Sequence, residues 1–186
     1  EAIAKWVEAR VVERLQQERP DVIGLGGIIT QYSCIKHIAK LCKAICPDVP
    51  IVLGGGIGSS LPVFMIQRMG VDAVVQEEGE VSFSELLHRL ELGQSLEGVK
   101  GVAYRTLSSS GEWEFRDNGL RPSVKNRTLG LDALPWPLRI PWPIDDIYRV
   151  NPVGHLNWKT KWIDGAPSAG LYSESMIASR GCPYAV

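Results

Sequence analysis

The chain has 186 residues, 45% of them hydrophobic and 22% charged, enough to bury one sizeable core and carry an appendage. Its 20 basic and 21 acidic residues leave a formal charge of -1, so no long-range field draws a nucleic acid or an anionic membrane surface. The longest uncharged stretch, Val49 to Ile66, is broken by Gly54, Gly55, Gly56, Gly58 and Pro62 and does not read as a membrane span.

Residues 2–17 place Ile3, Trp6, Val7, Val11 and Leu15 at helical spacing, which predicts an amphipathic helix ended by Pro20. Val22 to Ile29 is a short apolar run of the kind that forms a strand buried on both faces, with a turn over 30–33. A second helix is expected over 34–45, and Ile51-Val52-Leu53 is the next buried strand, ending in three glycines. Ser60 is expected to cap a third helix with Pro62 in its first turn and Gly70 at its close, and Asp72 to Val75 is the strand after it. Ser82 with Glu85 three residues on reads as a capping box opening a fourth helix that ends at Gly93. Val99 to Tyr104 is a further apolar segment.

This alternation of helix and strand predicts right-handed crossovers and an α/β fold: a doubly wound, Rossmann-like or flavodoxin-like parallel sheet covered on both faces, lacking its first strand. Beyond Arg105, Ser108-Ser109-Ser110-Gly111 with Glu112 to Phe115 predicts a two-stranded ribbon at the sheet's edge. Residues 121–175 hold seven of the 12 prolines and four of the six tryptophans, which fits an ordered but irregular connector. The domain reading is therefore 1–118 for the α/β domain and 119–175 for the connector. Glu1 is not an initiator Met and no secretory pattern follows it, so the N-terminus reads as an internal cut.

Four cysteines without a framework spacing argue for the reducing cytoplasm. Cys34, Cys42 and Cys46 fall with Ile38 on one helical face, where core packing is the expected role.

In an open parallel sheet, ligands bind where the strands end, because loops and helix N-termini there offer free backbone N–H groups. Three ends are legible: Gly26 to Gln31, Gly54 to Ser60, and Gln76 to Glu80. Glycines let a bulky flat ligand lie against the backbone, although tight turning explains any single one as well. Gly54-x-Gly56-x-x-Ser59 misses the third glycine of a dinucleotide fingerprint, and no phosphate-loop motif is present. Glu77, Glu78 and Glu80 sit at an expected helix start, where the macrodipole favours carboxylates, so capping or ligand framing is expected of them. His37, His88 and His155 have no partner cluster.

The strings Asp21 to Tyr32, Ile51 to Gly58 and Glu78-Gly79-Glu80, with their spacing, resemble the cobalamin-binding domain of cobalamin-dependent radical SAM proteins. Leu131 to Pro137 resembles the connector that crosses to the radical SAM barrel, and Ser179 to Tyr184 is similar to the opening of its iron-sulfur loop, which implies a new domain opening at 176–186. The resemblance implies a cobalamin-binding module followed, in the intact enzyme, by a C-terminal radical SAM domain with a 4Fe-4S cluster and S-adenosylmethionine. It implies cofactor contacts at Gly26, Gly27, Ile29, Thr30, Gly54, Gly55, Gly56, Glu78 and Gly79, and Cys182 as a cluster ligand. In the intact enzyme it implies a deoxyadenosyl radical and a cobalamin that carries a methyl group or assists otherwise. The loop that would carry a D-x-H-x-x-G motif lies before Glu1. Val186 stands where the second cysteine of a C-x-x-x-C-x-x-C loop belongs, so Cys182 alone leaves no complete catalytic site.

Two other readings compete: a doubly wound nucleotide- or flavin-binding domain, and an interaction domain of receiver type. The strand ends offer glycines where a receiver needs a phosphate-accepting Asp. Replacement of Gly55 by Leu is expected to abolish corrinoid binding with the fold intact.

Overall fold

The computed structural model describes residues 2–122 and 134–135. Nearly all of these lie in the first of two compact units, Glu1–Leu134, the second being Pro135–Val186. Most of the expected connector, the domain opening at 176–186 and Cys182 fall outside the described residues.

Helix α1 (Ala2–Glu18) leads to strand β1 (Ile23–Gly26), a 3-10 turn over Ile29–Gln31, and helix α2 (Tyr32–Ile45). Strand β2 (Ile51–Gly54) is followed by the short helix α3 (Gly56–Ser59), α4 (Pro62–Met69), strand β3 (Ala73–Val75) and α5 (Gly79–Glu91). The strands β4 (Val102–Leu107) and β5 (Trp113–Asp117) form the expected ribbon. The five strands lie in sequence order in one sheet.

β1, β2 and β3 are parallel, with Ile23 opposite Ile51 and Leu53 opposite Val74, whereas β4 runs antiparallel to β3 and β5 antiparallel to β4. The α/β architecture stands, but the direction expected for the Val99 to Tyr104 segment does not. A parallel β4 would have to start beside the start of β3. Instead the Gln76 N–H at the end of β3 donates to the Gly101 carbonyl at 2.9 Å, so the chain has already returned to the strand ends before β4 begins. Gly93, Gly98 and Gly101, all at positive φ, allow that return.

Successive side chains along a strand point to opposite faces, and both faces are buried. Ile23, Ile51, Leu53 and Val74 pack against Leu15 of α1, Ile35, Ala39 and Cys42 of α2, and Met65, Ile66 and Met69 of α4. Val52, Ala73, Val75, Val102 and Tyr104 pack on the other side with Leu86 of α5. Leu53 and Leu86 are fully buried, and each such side chain stabilises the fold by about 1.5–3 kcal/mol. At the strand starts, Asp72 ties three elements together. It accepts from the Ile51 N–H at 2.7 Å and from Arg105 Nε at 2.9 Å, and it pairs with Lys43 of α2 at 2.8 Å.

Several local expectations are corrected. β1 stops at Gly26, because it is an edge strand whose glycines leave little to bury, and Ile28 and Ile29 are exposed beyond it. Ser60 closes α3, and Leu61 stands at the N-cap of α4. α5 starts four residues early, with Glu78 rather than Ser82 at its N-cap: Ser82 is buried and donates to the Lys100 carbonyl at 2.9 Å, while Glu85 pairs with Arg121. Trp6 is exposed, and of the cysteines expected in the core Cys42 is buried, Cys46 half-buried and Cys34 exposed. Fourfold spacing follows the 3.6-residue turn only approximately, so Cys34 at the start of α2 has drifted off the buried stripe.

Candidate functional site

The parallel strands all end on one edge of the sheet, and the three loops that follow them are cross-linked. Gly26 lies opposite Gly54 in the strand register. The Ile57 N–H donates to the Gly27 carbonyl at 3.1 Å, which joins the first loop to the second. The Glu77 N–H donates to Ser59 Oγ at 2.8 Å, which joins the second to the third.

Their glycines divide into two kinds. A Cβ added at Gly55 would stand 2.9 Å from the Gly27 carbonyl oxygen, and Gly55 has φ +78, a left-handed conformation that disfavours any side chain. A Cβ at Gly27 would collide with the Gln31 side chain and come within 2.8 Å of Ile35 Cδ1, while at Gly58 it would meet Val74 Cγ1 at 2.8 Å. These three are glycine because the protein fills the space. At Gly24, Gly54 and Gly56 an added Cβ would meet nothing within 4 Å. The absence of a side chain there leaves a cradle against bare backbone, where a large flat ligand can approach. Because Gly55 serves packing, its replacement by Leu is expected to strain the fold as well as the site, so an intact fold no longer follows.

A cleft of about 370 Å³ opens on this cradle, lined by Gly24, Val52, Gly54, Glu77, Gly79 and Phe83, among others. Its floor is the backbone of β1 and β2, and its wall is the first turns of α5. A larger cleft of about 830 Å³, lined by Asp21, Val22, Pro50, Leu87 and Leu90 among others, lies at the opposite ends of the strands. The smaller one is the better candidate, because the exposed backbone amides, the helix start and the acidic side chains converge there.

Of the residues singled out from sequence, Gly54, Gly55 and Gly79 line this cleft. Gly26, Gly27 and Gly56 belong to the same cross-linked edge. Ile29 and Thr30 stand exposed in the 3-10 turn beyond β1, and Glu78 is the N-cap residue of α5. Glu77, expected from sequence to cap a helix or frame a ligand, lines the cleft as well; sequence reasoning missed Gly24 and Phe83. The period-two alternation that puts Gly24 on the same face as Val52 was the available signal for the first. Glu77 adopts φ +52, which costs a non-glycine residue about 1–2 kcal/mol. Among the described residues no three His, Cys, Asp or Glu side chains are grouped to hold a metal ion.

Residues 3–87 match the family model of the B12 binding domain. The segment from Ile3 to Leu87 is thus similar to a B12 binding domain. The matched segment runs from α1 into α5 and contains β1 to β3 with all three strand-end loops, so the cradle and cleft lie within the matched segment. The match favours cobalamin over the nucleotide or flavin alternative.

An uncharacterized methyltransferase of Pyrococcus horikoshii is 27% identical over 177 residues, 95% of this chain and 32% of that protein. The cytidylyl-2-hydroxyethylphosphonate methyltransferase of Streptomyces wedmorensis is 23% identical, covering 92% of this chain and 33% of its own length. The anaerobic magnesium-protoporphyrin IX monomethyl ester cyclase of Rubrivivax gelatinosus is 28% identical, covering 95% and 28%. The chain thus spans about a third of the length of these curated relatives.

Among solved structures, the radical S-adenosylmethionine methyltransferase TsrM from Kitasatospora setae, with cobalamin and a [4Fe-4S] cluster bound, superposes with a TM-score of 0.50 at 20% identity, over 56% of this chain and 21% of TsrM. The cobalamin-dependent S-adenosylmethionine radical enzyme OxsB with aqua-cobalamin bound gives 0.51 at 23% identity, over 63% of this chain and 16% of OxsB. At those identities the likeness speaks to the fold. No helix among the described residues is long and apolar enough to cross a membrane.

Proposed function

We propose that the chain is the cobalamin module of a radical SAM enzyme, holding the cofactor over the ends of β1, β2 and β3. The observation that carries this is the bare-backbone cradle at Gly24, Gly54 and Gly56 beside a cleft of about 370 Å³, all within the segment that matches the B12 binding domain. A flat macrocycle needs close backbone approach, and its peripheral amides need hydrogen-bond partners. The strand-end loops supply backbone groups for that purpose, with Gly26, Gly27, Ile29 and Thr30 on one side and Glu78 and Gly79 on the other. Glu77, Glu80 and Phe83 wall the cleft. Bound cobalamin supplies a cobalt centre able to carry a methyl group. The chain's own residues bind it, orient it and exclude water from one side.

The intact enzyme, in this reading, adds a 4Fe-4S cluster and S-adenosylmethionine in a radical SAM domain beyond the connector, with Cys182 as the first cluster ligand. Support comes from the cofactors bound in the TsrM and OxsB structures and from the methyltransferases among the relatives. A cytoplasmic setting is supported by Cys34, Cys42 and Cys46, all free thiols.

The test is to mix the purified chain with hydroxocobalamin, desalt it and record the visible spectrum of the protein fraction. Corrin absorbance that travels with the protein supports the reading; a folded but colourless sample overturns it.

A further inference from the structure

The three strand-end loops are not equally secured. The first and second are joined backbone to backbone, the Ile57 N–H donating to the Gly27 carbonyl. The third, 76–79, starts from a buried Gln76 whose Nε2 donates to Asp117 Oδ1 at 3.0 Å. It ends in α5, held where buried Ser82 donates to the Lys100 carbonyl. Between these anchors Glu77 takes the left-handed conformation, φ +52, in which its N–H turns toward Ser59 Oγ at 2.8 Å. Ser59 in turn donates to the Gly55 carbonyl at 3.3 Å, so its hydroxyl is both acceptor and donor and its orientation is fixed. Glu77 also lines the cleft.

From this geometry we infer that Ser59 is a positioning residue for the corrinoid site: its hydroxyl holds Glu77 in a conformation the residue does not otherwise favour, and so sets the height of the cleft wall between β2 and α5. The inference rests on the cobalamin reading above. It assigns Ser59 no contact with the cofactor. Its action passes through the backbone of Glu77, where a strained conformation persists because a neighbour enforces it.

The experiment is a double-mutant cycle on the full chain, read by hydroxocobalamin titration and by amide hydrogen exchange over 76–80. Ser59→Ala weakens corrinoid binding about fivefold, what one net hydrogen bond is worth, and speeds exchange at the Glu77 amide. Ser59→Thr, which keeps the hydroxyl, restores both. Glycine adopts positive φ without strain, so in a Glu77→Gly background the same Ser59→Ala change alters affinity by less than about twofold.

Three outcomes overturn the idea. Equal affinity of wild type and Ser59→Ala removes Ser59 from the site and leaves the cobalamin reading standing. An undiminished loss in the Glu77→Gly background shows that Ser59 acts by some route other than Glu77. If the folded wild-type chain retains no corrinoid, the site reading falls and this inference falls with it.

Discussion

A methyl group placed on Gly54 and one placed on Gly55 would meet opposite surroundings, although the two residues are adjacent. At Gly54 it would enter open space in the cleft, and at Gly55 it would press on the Gly27 carbonyl from a left-handed backbone. Gly54→Leu is therefore expected to leave stability within about 1 kcal/mol, while corrinoid binding falls below detection in a spectral titration. Gly55→Ala is expected to destabilise the chain by about 2 kcal/mol or more, from conformational strain and overpacking together, as read by urea unfolding. The glycine run was legible in the sequence, but the division of labour within it was not, since it depends on which atoms lie opposite each Cα.

Cys42 and Cys34 make a second contrast at this scale. Burial pushes the Cys42 thiol upward, with the nearby Cys46 adding to the effect. A group raised on folding contributes its stability in full below its ordinary value, here 9.0, and loses it as the pH rises through the folded value, so alkaline conditions weaken the fold. At neutral pH, Cys34 on the surface is expected to react with a thiol reagent in the native chain, whereas Cys42 reacts only on unfolding. Equal labelling rates for the two would contradict the burial assigned to Cys42.

At the scale of elements, the strand starts are held by one carboxylate. Asp72 takes the Ile51 amide, the Arg105 guanidinium and the Lys43 ammonium, and so fastens β2, β4 and α2 around the beginning of β3. Arg105 in turn lies over the Trp113 ring, 4.3 Å from its centroid. Asp72→Ala strands a backbone donor and two cations, and a loss of about 2–3 kcal/mol is expected in chemical denaturation. Since this cluster lies at the opposite end of the strands from the cleft, corrinoid affinity of the folded fraction is expected to remain. The pairing could not be read from sequence: Asp72 and Arg105 are 33 residues apart, and they meet only because β4 runs antiparallel to β3.

For the molecule as a whole, a ligand that binds the folded chain and not the unfolded one stabilises it by mass action. Hydroxocobalamin at a hundred times its Kd is expected to add about 2.7 kcal/mol and to raise Tm by roughly 5–10 °C for a chain of this size. A flavin or a nucleotide at the same concentration is expected to leave Tm unchanged, and a shift with either instead of cobalamin would revive the alternative.

Apolar runs, glycine clusters and helical periodicity fixed the number and order of the main elements and pointed to the strand ends for the candidate site, because such local patterns already encode which faces must be buried. The resemblance carried by Asp21 to Tyr32, Ile51 to Gly58 and Glu78 to Glu80 pointed to the cofactor class from local sequence alone. The tertiary structure decided the reversal of β4, the early end of β1, the start of α5 and the roles of Ser82 and Glu85. It also decided which glycines face open space and that Ser59 meets Glu77. Each of these depends on atoms brought together from distant parts of the chain, and a pattern read along one segment cannot contain them.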